Sequence, residues 1–296
     1  MSKQERVTYL NGKILPESEA KIPFRDKGFM LGDAVFDTTR TFGGKIFRLD
    51  EHLDRFLNSL KYMRMEPNLS KDEWKDLTMK ILEMNLPLLE KNDDCWVSQR
   101  VSRGDGENYT VIVESLPLPF KQRAKYYKHG LPTIVPSIRR TPPDSMSPRA
   151  KVHNYINLVQ AELEVQSRDP DAWPILLDSN GNISEGPGAN IFIIKNGVIS
   201  TPKEQKILAG ISRQAAIDLA QELSIELHEE DIDLFDVYTA DEAFVTSTSF
   251  CIVPVSTING ATIGSSGLPG PITDRLQKAY SGMVGIDFVD QYLSRL

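Results

Sequence analysis

Three ionisable residues stand out by where they lie in the chain. Lys151, in "SPRAKVHNYINLV", follows a proline-rich connection and stands at the mouth of a helix that the pattern starts near Asn154. An amine at a rigid junction, shielded by Tyr155, suits a nucleophile that forms an imine; the competing reading is a solvated lysine beside Arg149. Glu185, in "ISEGPGANIF", precedes Gly186, Pro187 and Gly188, backbone that a flat ligand can approach closely. A carboxylate there can keep a pyridine nitrogen protonated, as an electron-sink cofactor requires, or it is simply a turn acid after Asn180-Gly181. Arg55, in "EHLDRFLNSL", lies beside the apolar face of its helix. Its always-charged fork suits a phosphate; otherwise it pairs with Glu51 at i,i+4.

Two further stretches suit an anion. "LAGISRQ" places Gly210 and Ser212 at a helix start, where free backbone N–H groups point outward. "TSTS", Thr246 to Ser249, offers hydroxyls at a strand end, although Ser and Gly also cap helices everywhere. One amine nucleophile, one acid for a ring nitrogen, and an arginine, a helix start and hydroxyls for a phosphate make up an inventory for pyridoxal phosphate.

Other chemistries find less support. His52, His129, His153 and His228 never fall at HxxxH spacing, so no metal site is expected. Neither a Walker-type GK[ST] nor G-x-S-x-G occurs, and the two G-x-G starts lack a third glycine. A formal net charge of -7 argues against a general nucleic-acid binder, which replaces phosphate counterions with a basic surface. Cys95 and Cys251 form no CxxC, and no apolar run approaches the roughly 20 residues of a membrane span, so a cytoplasmic protein is expected.

The positioning elements mix strands and helices without strict alternation. "TYLNGKIL" turns at Asn11-Gly12 and "AVFDTTRTFGGKIFRL" at Gly43-Gly44, which predicts a β-rich N-terminal sheet. From Asp50 the pattern takes a helical period through Leu53, Phe56, Leu57, Leu60 and Met63, and Ser70 to Glu73 reads as the capping box of a second helix. "CWVSQRVSRG" and "YTVIVESL" read as strands. Residues 119–123 are the expected linker between a small domain, 1–118, and a larger one, 124–296. In the latter, "NYINLVQAELEVQ", "ISRQAAIDLAQEL" and "GPITDRLQKAYSGM" read as helices, and hairpins are expected at Asn180-Gly181 and Asn196-Gly197. Two α+β domains follow.

The ordered stretches "YLNGKILPESEAKIPFRDKGFMLGD", "EHLDRF", "SRG", "KVHNYINLVQAELE", "ISEGPGANIFIIKNGVISTP", "ILAGISR" and "DEAFVTSTSFCIVPV" span nearly the whole chain. In them the chain resembles the class IV aminotransferases, the fold-type IV pyridoxal-phosphate enzymes. These include branched-chain and D-amino acid aminotransferases, (R)-selective amine transaminases and aminodeoxychorismate lyase. The resemblance implies a small N-terminal α/β domain, a larger C-terminal α/β pseudo-barrel domain, and a homodimer whose subunits share active sites. It implies that Lys151 is the catalytic Schiff-base lysine and Glu185 the partner of the pyridine nitrogen. Arg55, the amides of Ile211 and Ser212, and Thr248 would hold the phosphate. Leu208 would pack on the pyridine ring, with Tyr155, Gly188, Ala189, Asn190, Gly210, Ser247 and Ser249 also near the cofactor.

Substrate choice is less determined. Where branched-chain enzymes carry Tyr-x-Arg, this chain has Trp96-Val97-Ser98, and after "SRG" it lacks the Arg-x-His of D-amino acid enzymes. Arg100, on the same strand face as Ser98, Arg40 and Arg25 are the candidate carboxylate binders. Phe36, Trp96, Ser98, Thr248 and Ser249 are further candidate substrate contacts. "KIPFRDKGFMLGD", "FRLDEHLDR", "RRTPP" and "GPIT" look most like the (R)-selective branch, from which Leu31 departs. The expectation is ping-pong transfer from an (R)-amine or D-amino acid to pyruvate or another 2-oxo acid, the alternatives being a branched-chain L-amino acid aminotransferase or the lyase.

Overall fold

The computed structural model describes residues 5–264 and 267–296. It divides into two compact units, one of Met1–Leu118 with Ala150–Tyr155 and one of Pro119–Arg149 with Ile156–Leu296.

The first unit contains β1 (Val7–Leu10), β2 (Lys13–Pro16), α1 (Lys27–Leu31), β3 (Ala34–Phe42), β4 (Lys45–Ile46), α2 (Leu49–Tyr62), α3 (Lys71–Asn85), β5 (Cys95–Ser102) and β6 (Thr110–Pro117). Its strands pair antiparallel in the order β2-β1-β6-β5-β3-β4. Asn11 and Gly12 take φ of 47° and 87°, the left-handed pair that a tight hairpin needs, so β1 and β2 meet where expected. Alternation along β3 sends Val35, Asp37, Thr39 and Thr41 to one face and Phe36, Thr38 and Arg40 to the other. Hydrogen bonds from Arg55 of α2 to Asp37, and from Gln99 to Thr78 of α3, put the first face under the two helices. There Leu53, Phe56, Leu60 and Trp74 are buried, and the Phe56 and Trp74 rings meet edge to face at 4.9 Å. Ser70 and Glu73 form the expected capping box.

Residues 150–155 return to this unit as an extended segment. Val152 bridges Val35, Phe36 N–H donates to the Lys151 carbonyl at 3.0 Å, and His153 N–H to that of Ala34 at 2.9 Å. Lys151 therefore sits on a strand-like stretch rather than at the mouth of a helix near Asn154. The pairing uses up the backbone groups that a helical turn would need, and the helix begins only at Ile156.

The second unit contains α4 (Phe120–His129), β7 (Leu131–Ile134), α5 (Ile156–Gln166), β8 (Trp173–Pro174), β9 (Glu185–Gly186), β10 (Ala189–Lys195), β11 (Val198–Pro202), α6 (Ile211–Glu222), β12 (Leu227–Glu230), α7 (Leu234–Tyr238), β13 (Glu242–Ser247), β14 (Cys251–Ile258), β15 (Ala261–Thr262), α8 (Pro271–Val284) and α9 (Phe288–Leu293). The sheet runs β12-β11-β10-β13-β14-β7-β8, with β15 on β14 and β9 on β10. Residues 120–123, expected in a linker, form the first turn of α4. The Asn196-Gly197 hairpin joins β10 to β11. At Asn180-Gly181 only one bridge forms, Leu177 to Ile183, because the Asp178 carboxylate accepts the amides of Asn180 and Asn182 and closes a loop in place of a ladder. Among the described residues no helix is long and apolar enough to cross a membrane.

Candidate active site

In the first unit Lys151 lies on the face of the β3–β5 pair opposite the helices, with Phe36. Its Nζ stands 4.4 Å from the centre of the Phe36 ring, its own N–H donates to Ser59 Oγ at 3.0 Å, and the Tyr155 ring lies 5.7 Å from that of Phe36. The Arg100 guanidinium is 5.2 Å from the same ring. Register explains the grouping: Phe36 pairs with Arg100, Thr38 with Ser98 and Arg40 with Trp96, and directly paired residues share a face. Arg100 Nε donates to Glu114 at 2.8 Å and its Nη1 faces His153 Nε2 at 3.3 Å.

Burial lowers the His153 pKa to about 4, and the charges of Arg100 and Lys151 push the same way. Neutral His153 then accepts from Arg100 on Nε2 and carries its proton on Nδ1. A histidine that binds protons less readily when folded than its free form near 6.5 costs no stability above that pH; the loss sets in as pH falls from 6.5 towards 4. Replacing His153 by Gln is expected to remove a penalty on the order of 2 kcal/mol at about pH 4.5 and to change nothing near pH 8. Thermal melts of both proteins across that range test this, and parallel curves would refute it.

Glu51 lies 3.9 Å from Arg48, and Arg55 turns to Asp37. Its Nε and Nη2 grip Asp37 Oδ2 and Oδ1, each at 2.8 Å, and His52 Nδ1 reaches Asp37 Oδ1 at 2.7 Å. Burial alone would push the Asp37 carboxyl up; Arg55 and His52 more than reverse this and hold it well below the usual carboxylate range. A bidentate grip of this kind fixes the plane of the fork. Asp37 and His52 went unread in the sequence, although an acid on the buried face of a strand demands a cationic partner, and a helix with His and Arg three apart offers one.

The other arginines differ. Arg40 is buried, donates from Nε to the Thr41 carbonyl at 3.1 Å and stacks 4.0 Å from Phe42, so it is fixed in the protein rather than presented to a ligand. Arg25 is exposed beside Phe24. Trp96 is half-buried, and Ser98 Oγ lies 2.9 Å from Thr38 Oγ1.

In the second unit Glu185 is buried and accepts three hydrogen bonds. Oε1 accepts from Arg140 Nε at 2.9 Å, and Oε2 from the Leu208 amide at 3.0 Å and Asn190 Nδ2 at 3.4 Å. Asn190 Nδ2 also donates to the Leu208 carbonyl at 3.0 Å, tying β10 to the segment before α6. Gly210 is the N-cap of α6 and, being glycine, offers no side chain to the amides of its first turn. A Cβ at Gly210 would stand 2.2 Å from Asn190 Oδ1, so any side chain there would have to displace the Asn190 amide from its bonds to Glu185 and Leu208. Gly188 takes φ of 70° in the β9–β10 turn, ahead of Ala189. Ser247 Oγ accepts the Phe250 amide at 3.0 Å across the turn that holds Thr248 and Ser249. Arg140 lies in the "RRTPP" stretch, but nothing in that stretch pointed to a pairing with Glu185, 45 residues on.

The family model of class IV amino-transferases matches residues 34–258. The chain belongs to the class IV aminotransferases. It is 37% identical to a putative branched-chain-amino-acid aminotransferase of Methanocaldococcus jannaschii, over 92% of this chain and 94% of that one. It is 28% identical to a D-alanine aminotransferase of Bacillus licheniformis, over 93% and 95%. A branched-chain amino acid aminotransferase structure from a T.th. strain, complexed with N-(5'-phosphopyridoxyl)-L-glutamate, aligns with a TM-score of 0.86 at 29% identity, covering 95% of each chain. The fold is therefore fold type IV, and the cofactor of this aminotransferase is pyridoxal 5'-phosphate. The residues present suit that group. Glu185 offers an oriented carboxylate for a ring nitrogen, the glycine-capped start of α6 offers amides for a phosphate, and Thr246, paired with Asn190, has a buried Oγ1 with no hydrogen-bond partner among the described residues.

Proposed function

We propose that this aminotransferase moves the amino group of a branched-chain L-amino acid to a 2-oxo acid, with Lys151 as its catalytic amine. The observation that carries the donor class is the greater likeness to the branched-chain relative, 37% identical, than to the D-alanine aminotransferase, 28% identical. The (R)-amine or D-amino acid donor expected from the sequence becomes the second reading, kept for the D-alanine aminotransferase likeness. When bound, the cofactor supplies a cationic ring that draws electrons from the bonds at the substrate's α-carbon.

The chain's own residues do the rest. Lys151 Nζ, on the Phe36 face, takes the α-proton and returns it, in two half-reactions that run in opposite directions. Glu185 keeps the ring nitrogen protonated, and Arg140 holds that carboxylate in place. Asp37 fixes the Arg55 fork, which with the Ile211 and Ser212 amides and Thr248 binds phosphate; Tyr155, Leu208, Asn190, Ser247 and Ser249 complete the cofactor contacts. Arg100 takes the place of the missing Tyr-x-Arg and binds the substrate carboxylate, since it shares the Phe36 ring with Lys151 and keeps donors free beyond Glu114 and His153. Trp96 and Phe36 offer apolar contact for an aliphatic side chain. The chain is proposed to act as a homodimer: Phe24, Phe29, Met30 and Leu31 are between 61% and 71% exposed, more apolar surface on one short segment than a monomer usually leaves in water.

A half-reaction screen tests the donor. The cofactor-loaded enzyme, mixed singly with L-leucine, L-valine, L-isoleucine, D-alanine and (R)-1-phenylethylamine, is expected to lose its visible band with the three L-amino acids. Loss with D-alanine or the (R)-amine alone would overturn the reading in favour of the second.

A further inference from the structure

Within the second unit a cavity of about 340 Å³ opens between α4, α5 and β8. None of its lining residues is used in the reaction proposed above. Its wall holds one acidic and one basic side chain without hydrogen-bond partners among the described residues. Arg123, half-buried on α4, packs into the corner of the Trp173–Phe250 pair, its Cζ 4.6 Å and 4.5 Å from the two ring centres. Among the described residues its guanidinium donates no hydrogen bond and joins no ion pair. The rings fix the guanidinium, and its N–H donors are left for whatever enters the cavity.

Glu162, half-buried on α5, lines the same cavity and likewise has no hydrogen bond or ion pair among the described residues. Burial pushes its carboxyl up, and the Arg123 charge only partly offsets this. The two charges thus face one space without closing on each other to the 4 Å of an ion pair. The other charged pair of the wall is self-contained: Lys125 binds Asp171, whose carbonyl also accepts from Tyr126 Oη at 3.3 Å. Gln122 and Gln166 add neutral polar groups.

We propose that this cavity is a second ligand site, for a free α-amino acid, with the carboxylate on Arg123 and the ammonium on Glu162. A half-buried fork without an acceptor and a half-buried acid without a donor are each costly, and a zwitterion satisfies both while leaving the cavity's charge unchanged. A volume near 340 Å³ lies at the lower end of the range of small-molecule pockets, roughly 300–1,000 Å³, which suits a ligand of this size. The site does not depend on which donor the enzyme uses.

The probe is 2-aminoisobutyrate, an amino acid with no α-hydrogen, applied to the cofactor-loaded enzyme. Its carbon skeleton without the amine, isobutyrate, and without the carboxylate, isopropylamine, serve as controls. Binding is read by equilibrium dialysis and by tryptophan fluorescence, to which Trp173 contributes from the cavity wall; the visible band separately reports the cofactor. The expected result is saturable uptake with a fluorescence change, weakened at least about tenfold in Arg123→Gln and in Glu162→Gln while the visible band of each variant stays as in the parent. Both controls are expected to bind at least about tenfold more weakly than the zwitterion. Should Arg123→Gln disturb the aromatic corner, Glu162→Gln decides alone, because that side chain holds nothing in the fold. Equal uptake by parent and Glu162→Gln, or isobutyrate binding as well as 2-aminoisobutyrate, would overturn the proposal.

Discussion

Replacing Lys151 by alanine is expected to lower the transamination rate by about 10⁴ or more, because one group serves as both the covalent anchor and the proton carrier. The fold is expected to survive the change. What holds residue 151 in place is backbone: its N–H on Ser59 Oγ, its carbonyl on the Phe36 amide, and the Val35–Val152 bridge beside it. The side chain adds a contact with the Phe36 ring, worth about 1 kcal/mol at most sites of this kind. The variant should therefore melt close to the parent, lack the visible band of the lysine-linked cofactor, and regain part of its rate with added methylamine, which restores a free amine but not its positioning. A rate within tenfold of the parent would remove Lys151 from the mechanism.

How much of this could be read beforehand depended on the range of the interaction. Asn11-Gly12, Asn196-Gly197 and the Ser70–Glu73 capping box are local devices, and each produced its element. The apolar stripe of α2 was legible because Leu53, Phe56 and Leu60 repeat at the helical period and are buried. Lys151 was misplaced onto a helix start because the pairing of 150–155 with β3 joins residues more than a hundred apart, which no local pattern encodes. Asp37 was hidden over a shorter span: in "AVFDTTRTF" it reads as one more polar strand residue until the turn into α2 brings His52 and Arg55, 15 and 18 residues on, over it. Residues 120–123 read as linker because Pro117 and Pro119 precede them, yet Pro119 is the N-cap of the helix, where a missing N–H costs little.

Glu185→Gln is expected to keep the cofactor but slow proton abstraction by about 10²–10³, since a neutral amide no longer holds the ring nitrogen protonated. The substitution keeps the shape of the side chain and an oxygen for the Leu208 amide, but it strips Arg140, almost wholly buried, of its counter-charge. Breaking one side of such a pair costs about 3–5 kcal/mol, so a loosened fold would also slow the enzyme. The double variant Glu185→Gln with Arg140→Met separates the two causes, because it removes the orphaned charge without restoring the carboxylate. If Glu185 acts on the cofactor, the double variant recovers most of the lost melting temperature and none of the lost rate. Recovery of rate together with stability would show that the carboxylate serves the fold of the β9–β10 turn and that the ring nitrogen has another partner.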